Sequence, residues 1–534
     1  MATLNFKGKT FVQNHHLAVK YHQLLPKKDK SLTDKVSLND NLILHGDNLK
    51  ALKALLPTYA SKVKCIYIDP PYNTGNERWV YNDNVNSPMM QEWLGKVVDR
   101  EDFTRHDKWL CMMMPRLKLL RELMREDGVI FVSIDDNEVH HLRMLMDEVF
   151  EERNIICEIV WQKKFSRQSD AKWFSDTHEY LIVYAKDKEI WKPNLLPRTE
   201  KQDLRYKNFD NDYRGPWSPD NLVVKTYSKE YDYPIKTPSG RTVNPPTGFC
   251  WRYSKERLQK LIADNRIWFG EKGGNVPRIK RFLSEVKKGL VPVTLWLRDF
   301  AGDTQEAVRE VKTILEDQKF DSPKPVKLIR RVLQVASGQN SIILDSFAGS
   351  ATTAHAVLDL NKEDGGNRRF ILVECEDYAD KITAERVRRV IKGIPNAKEE
   401  KLREGLGGTF SYFELGDPIE MESILEGDKL PSLLELARYV FYTATGEEFD
   451  PSKLDEKRNF IGESKEYEVY LFYKPDIEYL KSTALTLERA KTLGPYKGKK
   501  RLVFAPSKYL DTDYLLEYRI DYCQLPFEIY KLKE

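Results

Sequence analysis

The sequence predicts an α/β fold, a buried sheet covered by helices and interrupted by an irregular basic module. Three observations carry this reading. Apolar runs alternate with amphipathic helical stretches at three places in the 534 residues, as expected for strands covered on both faces. Between the second and third of these places lies a segment, 191 to 298, that holds 22 Lys and Arg against 11 Asp and Glu. Its excess of +11, against +4 for the whole chain, leaves −7 elsewhere; it also holds 10 of the 26 prolines and five of the ten tryptophans. Such a segment reads as a separate module set inside something else.

The elements follow in order. NLILHGDNLKALKALLPTYASKVKCIYIDPPY reads as strand, turn, helix, strand and turn, with Leu49, Leu52 and Leu56 on the inward face and Asp47 or Asn48 as N-cap. DGVIFVSIDDNEVHHLRMLMDEVF gives a strand ending near Ile134. Its helix is opened by Asp135 and Glu138 at capping-box spacing, with Val139, Leu142, Leu145, Met146 and Val149 inward. EIVWQKK and EYLIVYAK read as later strands. After the basic module, SIILDSFAGSATTAHAVLDL and RRFILVECE read as strand, small-residue turn, helix and a strand ending in acid. Residues 396–534 contain further helix-like and strand-like pieces, SLLELARYVFY, YEVYLFYK and KRLVFAPS, without a cluster that suggests chemistry.

Composition narrows the function classes. A hydrophobic content of 41% with 31% charged residues describes a globular chain of more than one domain. No apolar stretch approaches the roughly 20 residues that cross a bilayer, and MATLNFKGKT lacks the basic and apolar regions of a secretory signal. The six cysteines are never closer than 46 residues, so neither a disulfide framework nor a zinc pattern is expected. The expected compartment is a reducing cytoplasm, with no membrane association and no metal.

Two motifs carry chemistry. In CIYIDPPYNTGN a buried strand ends in a rigid turn, since proline fixes φ and restricts its predecessor. Asp69 and the Pro70 carbonyl are paired acceptors for an exocyclic amine, and Tyr72 offers a stacking face. In DSFAGSATT small residues between a strand and a helix let the backbone approach a ligand. Glu374 lies 25 residues past Gly349, near where an acid meets ribose hydroxyls in nucleoside-binding folds. A nicotinamide enzyme would carry GxGxxG, which is absent.

DPPY followed by FxGSxTT resembles the β-class adenine-N6 DNA methyltransferases. IDPPYNTGN, FDSPKPVKLIRRVL and DSFAGSATTAHAVLDLNKEDGGNRRFILVE are most similar to the modification subunit of Type III restriction–modification systems. The resemblance spans residues 38 to 395 well and the remainder loosely. It implies a circularly permuted Rossmann-like sheet that uses S-adenosylmethionine, with an N-terminal extension at 1–37, a catalytic half at 38–190 and a target-recognition module at 191–298. A cofactor-binding half at 299–395 and a C-terminal α+β domain at 396–534 complete the expected arrangement.

Residue by residue, the resemblance implies catalytic roles for Asp69, Pro70, Pro71 and Tyr72. It implies cofactor contacts from Asp47, Asp69, Asp345, Phe347, Gly349, Ser350, Thr352 and Glu374, with Lys324 and Pro325 lining the methionine end. The family commonly has a second glycine where this chain has Ala351. Arg252, Lys255, Arg257, Arg278, Lys280 and Arg281 are the expected DNA contacts. Double-stranded DNA, a second copy of the chain and a helicase–nuclease restriction subunit are the implied partners. The rival readings are cytosine-N4, RNA-adenine or glutamine-amide methylation, and a DNA-binding subunit with an inactive methylase fold.

Overall fold

The computed structural model describes residues 4–74, 105–316, 320–419 and 430–525, apart from positions 168, 170, 199, 287, 288, 495 and 497. Gly75 and Asn76, at the end of the DPPY stretch, lie outside the described residues. The chain divides into two compact units, Met1–Pro193 with Val293–Glu534, and Asn194–Pro292.

The larger unit is organised by one ten-stranded sheet. Its strands are β1 (His22–Pro26), β2 (Leu42–His45), β3 (Val63–Ile68), β4 (Met124–Ile134), β5 (Ile155–Gln162), β6 (His178–Ala185), β7 (Leu295–Trp296), β8 (Ile342–Asp345), β9 (Arg369–Glu374) and β10 (Ser411–Pro418). They lie in the order β1-β10-β2-β9-β8-β3-β4-β6-β5-β7. From β10 to β4 every neighbouring pair is parallel, and β6 runs antiparallel to both β4 and β5. The late strands β8 and β9 therefore sit between the early strands β2 and β3. This is the permuted order that the sequence resemblance implies.

The local sequence explains the burial. The side chains of β8 are buried throughout, and so are those of β3 except Lys64, because helices cover both faces. Helix α1 (Asn48–Tyr59) buries Leu49, Leu52 and Leu56, and the Asp47 side chain caps it by accepting the Lys50 N–H. Helix α2 (Arg105–Leu123) and helix α3 (Val139–Phe150) follow, and α3 turns Leu142, Leu145, Met146 and Val149 inward, with Val139 only half-buried. No capping box opens α3: Glu138 makes no side-chain cap bond and is buried instead. Helices α4 (Val326–Ala336) and α5 (Thr352–Asp364) flank β8 in sequence. Among the described residues no helix is long and apolar enough to cross a membrane.

Two expected boundaries move. Leu295–Trp296, expected in the basic module, forms β7 of the main sheet. Ser411–Pro418, expected in the C-terminal domain, forms β10 beside β2. The chain then adds helix α6 (Leu433–Thr445), which has a Ser432–Glu435 capping box and shares the sheet's apolar core. A four-stranded sheet follows, built from Phe460–Glu463, Tyr467–Leu471, Lys500–Ala505 and Ile520–Gln524.

The smaller unit has its own core of Leu222, Trp251, Leu258, Ile267 and Phe269 among others. A three-stranded antiparallel sheet joins Trp217–Asn221, Arg278–Phe282 and Ile267–Trp268. A nine-residue helix, Lys255–Ala263, starts at Ser254, whose hydroxyl accepts the Arg257 N–H.

Candidate active site

A cavity of about 630 Å³ opens at the C-terminal ends of β3, β8 and β9, the edge where open α/β sheets bind ligands. The turn after β3 supplies Asp69, Pro70, Pro71 and Tyr72, and the loop after β8 supplies Phe347, Gly349, Ser350 and Thr352. Asp345, Glu374 and Lys324, also expected from sequence, line it too, joined by Tyr67, Phe320, Tyr378 and Ile382.

The Asp69 end is built from charged side chains paired with each other. Lys324 Nζ lies 2.8 and 2.7 Å from the two Asp69 oxygens. The Tyr72 hydroxyl is 2.8 Å from Asp69 Oδ1 and 3.1 Å from Glu179 Oε2. Lys324 also approaches Glu179 at 3.6 Å, and Lys163 does so at 3.3 Å. Burial pulls the Lys324 ammonium down, but the Asp69 and Glu179 carboxylates outweigh it and hold its pKa above the ordinary lysine value. Burial, reinforced by the same two acids, keeps the Tyr72 phenol protonated far above its usual range. Lys324, expected at the methionine end, is therefore the counter-ion of the DPPY aspartate.

The turn itself is clamped from behind. Trp109 donates its indole N–H to the Pro71 carbonyl at 2.6 Å. Asn73, at φ +57°, is buried and donates to Glu138. The Nδ1 atoms of His106 and His141 also lie 2.6 and 2.7 Å from the Glu138 carboxylate. His106, Glu138 and His141 have the residue types of a metal site. The carboxylate is nevertheless satisfied by hydrogen bonds from both rings and from Asn73, which makes the group a clamp. Sequence spacing hid this cluster because two helices and a turn bring it together.

The Glu374 end is built from backbone. Glu374 accepts the N–H groups of Gly349 at 2.7 Å, Cys375 at 2.9 Å and Glu376 at 3.1 Å. Burial raises its pKa to about 7 against the pull of those bonds. Asp345 is likewise raised to about 7 by burial, and it accepts from the Thr353 hydroxyl and the Phe347 N–H. Gly349 sits at φ +50°, where a Cβ would lie 3.0 Å from the Phe320 ring. Ala351 accepts a left-handed conformation at φ +63° as the N-cap of α5. The loop is tied down by buried Arg386, which donates to the Ser350 carbonyl and hydroxyl and to the Thr352 hydroxyl. A recessed acid with backbone space beside it and the rings of Phe320 and Tyr378 nearby fits a nucleoside.

Two expected cofactor residues lie elsewhere. Asp47 does not line the cavity, because its carboxylate is used to cap α1, 3.8 Å from Arg116. Its neighbour Asn48 reaches the loop instead, donating to the Ser346 carbonyl at 3.1 Å. Pro325 is the N-cap of α4 and packs towards Gly302. Glu179, absent from the expected set, is the main addition. No local pattern marks it, because its partners Tyr72 and Lys324 are 107 and 145 residues away in sequence.

In the smaller unit, Lys255, Arg257 and Arg278 are exposed. Arg252 and Arg281 are exposed but share Asp220, at 3.3 and 2.8 Å. Lys280 is not a surface group: only 1% exposed, it pairs with Asp210 and, at 3.2 Å, with Asp212. Hydrogen bonds from Arg214, helped by Lys280, hold Asp212 well below the usual carboxylate range. A lysine in that position supports the fold and is withdrawn from the expected DNA contacts.

Comparison with known proteins places this geometry. The N6/N4 DNA methylase family matches over residues 63–385, more than half of the chain. The Type III StyLTI Mod subunit of Salmonella typhimurium is 32% identical over 444 residues, covering 78% of this chain and 66% of that one. The EcoPI Mod subunit of Escherichia phage P1 is 31% identical, covering 79% and 73%. The Type II methyltransferase M.KpnI of Klebsiella pneumoniae is 30% identical, covering 70% and 93%. The chain thus spans about two thirds to three quarters of the two Mod subunits and most of the Type II enzyme. With the turn, the loop and the permuted sheet all in place, the chain belongs to the N6/N4 DNA methylase family.

Proposed function

We propose that the chain is a site-specific DNA methyltransferase of a restriction–modification system, acting on N6 of an adenine flipped out of the duplex. One observation carries this: the amine-accepting turn at Asp69–Tyr72 and the nucleoside-fitting loop at 345–352 line a single cavity. Gly349 leaves backbone space, Glu374 offers a carboxylate to ribose hydroxyls, and Phe347 and Phe320 close the sides. S-Adenosylmethionine, held there, supplies a methyl group on sulfonium sulfur for direct displacement by the amine.

The chain's own groups do the rest. Asp69 and the Pro70 carbonyl accept the amine hydrogens, which draws the nitrogen from planar towards tetrahedral geometry and frees its lone pair. The extra proton is acidic only after the new N–C bond forms, and Asp69 is placed to take it. Tyr72 stacks on the extruded base, worth roughly 1–3 kcal/mol, against a flipping cost of a few kcal/mol. The clamp from Trp109 and Asn73 fixes the acceptors in advance, so much of the rate comes from placement.

Phosphate contacts are assigned to Lys255, Arg257 and Arg278, with Arg252 and Arg281 available where DNA competes with Asp220. The likeness to Type III Mod subunits makes a helicase–nuclease restriction subunit the expected partner. The region after β10 is the surface proposed for it and for a second copy of the chain. The test is incubation with tritiated S-adenosylmethionine and mixed-sequence DNA, followed by nucleoside analysis. Label in N6-methyladenine that is lost in Asp69→Ala supports the proposal; label in N4-methylcytosine, or none on DNA, overturns it.

A further inference from the structure

Lys324 occupies the acceptor groups of Asp69 on the wall of the cavity. Its ammonium holds both Asp69 oxygens, at 2.8 and 2.7 Å, and lies 5.0 Å from the centre of the Tyr72 ring. These are the carboxylate and the aromatic face that an extruded base needs. A carboxylate chelating an ammonium is a weak acceptor for an amine and a weak sink for its proton. With only 10% of its side chain exposed, Lys324 incurs a large cost if it gives up one counter-ion without gaining another.

Glu179 is the other counter-ion within reach. Its Oε2 lies 3.6 Å from Lys324 Nζ, less than 1 Å beyond the Asp69 distances. The Tyr72 hydroxyl spans the two acids, at 2.8 Å from Asp69 and 3.1 Å from Glu179, yet has one proton to donate. Two arrangements of the same charges follow. In one, Lys324 rests on Asp69 and Tyr72 donates to Glu179. In the other, Lys324 rests on Glu179 and Tyr72 donates to Asp69, whose remaining acceptor sites face the base. Lys163, 3.3 Å from Glu179 and 3.0 Å from Asp176, stays in place in both.

We propose that Glu179 is a positioning residue that receives the Lys324 ammonium when the target amine docks, so that the Lys324–Glu179 pair gates Asp69. The proposal rests on the methyltransferase reading above.

The experiment compares wild type, Glu179→Gln, Lys324→Met and the double variant. Each is assayed for cofactor affinity, for capture of an extruded 2-aminopurine and for single-turnover methylation. Glu179→Gln leaves the ammonium on Asp69, so base capture and the single-turnover rate are expected to fall about tenfold or more, with cofactor affinity unchanged. Adding Lys324→Met removes the obstruction and should recover most of that loss. Should Glu179→Gln not fold, Lys324→Met alone tests the same point by capturing 2-aminopurine more tightly than wild type. A wild-type rate in Glu179→Gln, a double variant no better than the single, or loss of cofactor binding in Lys324→Met overturns the proposal. In the last case the ammonium belongs to the cofactor. Absence of methylation by wild type would instead remove the parent reading.

Discussion

The two ends of the cavity are built from different materials. At the Glu374 end the partners are backbone N–H groups of Gly349, Cys375 and Glu376, fixed by the fold before any ligand arrives. At the Asp69 end they are side chains, with Lys324, Tyr72, Glu179 and Lys163 sharing charges and one hydroxyl proton. Backbone suits a ligand that is the same in every turnover. Side chains suit a base that must be admitted, held and released. Damage at one end should therefore show in cofactor affinity, and damage at the other in base capture and rate.

The largest expected effect separates them outright. Asp69→Ala should lower single-turnover methylation by about 10²–10⁴-fold, the range for losing a group that handles the reacting proton. Cofactor affinity, read by calorimetry, should stay put, and a parallel loss there would break the distinction. Tyr72→Ala comes next: base capture should weaken by about 1–3 kcal/mol, seen as a smaller 2-aminopurine fluorescence response. The third effect belongs to the backbone end and to pH. Glu374 has its carboxyl raised to about 7 by burial, and the anion is the form that accepts from two hydroxyls. The anionic fraction falls as pH falls through that value, so cofactor affinity should drop about tenfold between pH 8 and pH 6. Glu374→Gln should flatten the profile; a dependence that persists would point to Asp345, raised to about 7 as well. The smallest effect is Gly349→Ala. A side chain at φ +50°, with its methyl 3.0 Å from the Phe320 ring, should cost ~1 kcal/mol of stability, and displacement of that ring should weaken cofactor binding. A thermal melt and a cofactor titration read the two parts separately.

The same contrast explains what the sequence could tell. Backbone-built features leave a local signature: apolar runs for strands covered on both sides, small residues at the 345–352 turn, an acid at the end of β9. The Asp-Pro-Pro-Tyr turn is legible for the same reason, since its stiffness is written in two adjacent prolines. Side-chain partnerships leave none. Glu179 is 145 residues before Lys324, and only the β4-β6-β5 edge of the sheet brings it to Asp69. Lys280 counts as a surface charge in any tally, yet Asp210 and Asp212, some seventy residues earlier, neutralise it in a buried pair. Asp47 has the right chemistry for a ligand contact, but the start of α1 needs a cap and takes the carboxylate first. Helix faces follow from periodicity, whereas the place of Ser411–Pro418 in the main sheet depends on a pairing with β2 that no local pattern encodes.

The strand order also sets when the protein becomes whole during synthesis. β3 ends at Ile68, while β8, which pairs with it, begins at Ile342. At about 5–20 residues per second, the ribosome needs about 14–55 s to cover that interval, and one edge of β3 waits unpaired throughout. The basic insert, complete at Pro292, has time to compact in the meantime. Once β8 and β9 take their places between their older neighbours, the loop after β8 meets the turn after β3, and only β10 remains to join the sheet beside β2. A nascent chain therefore carries its acid-bearing turn long before the opposite wall of the cavity exists.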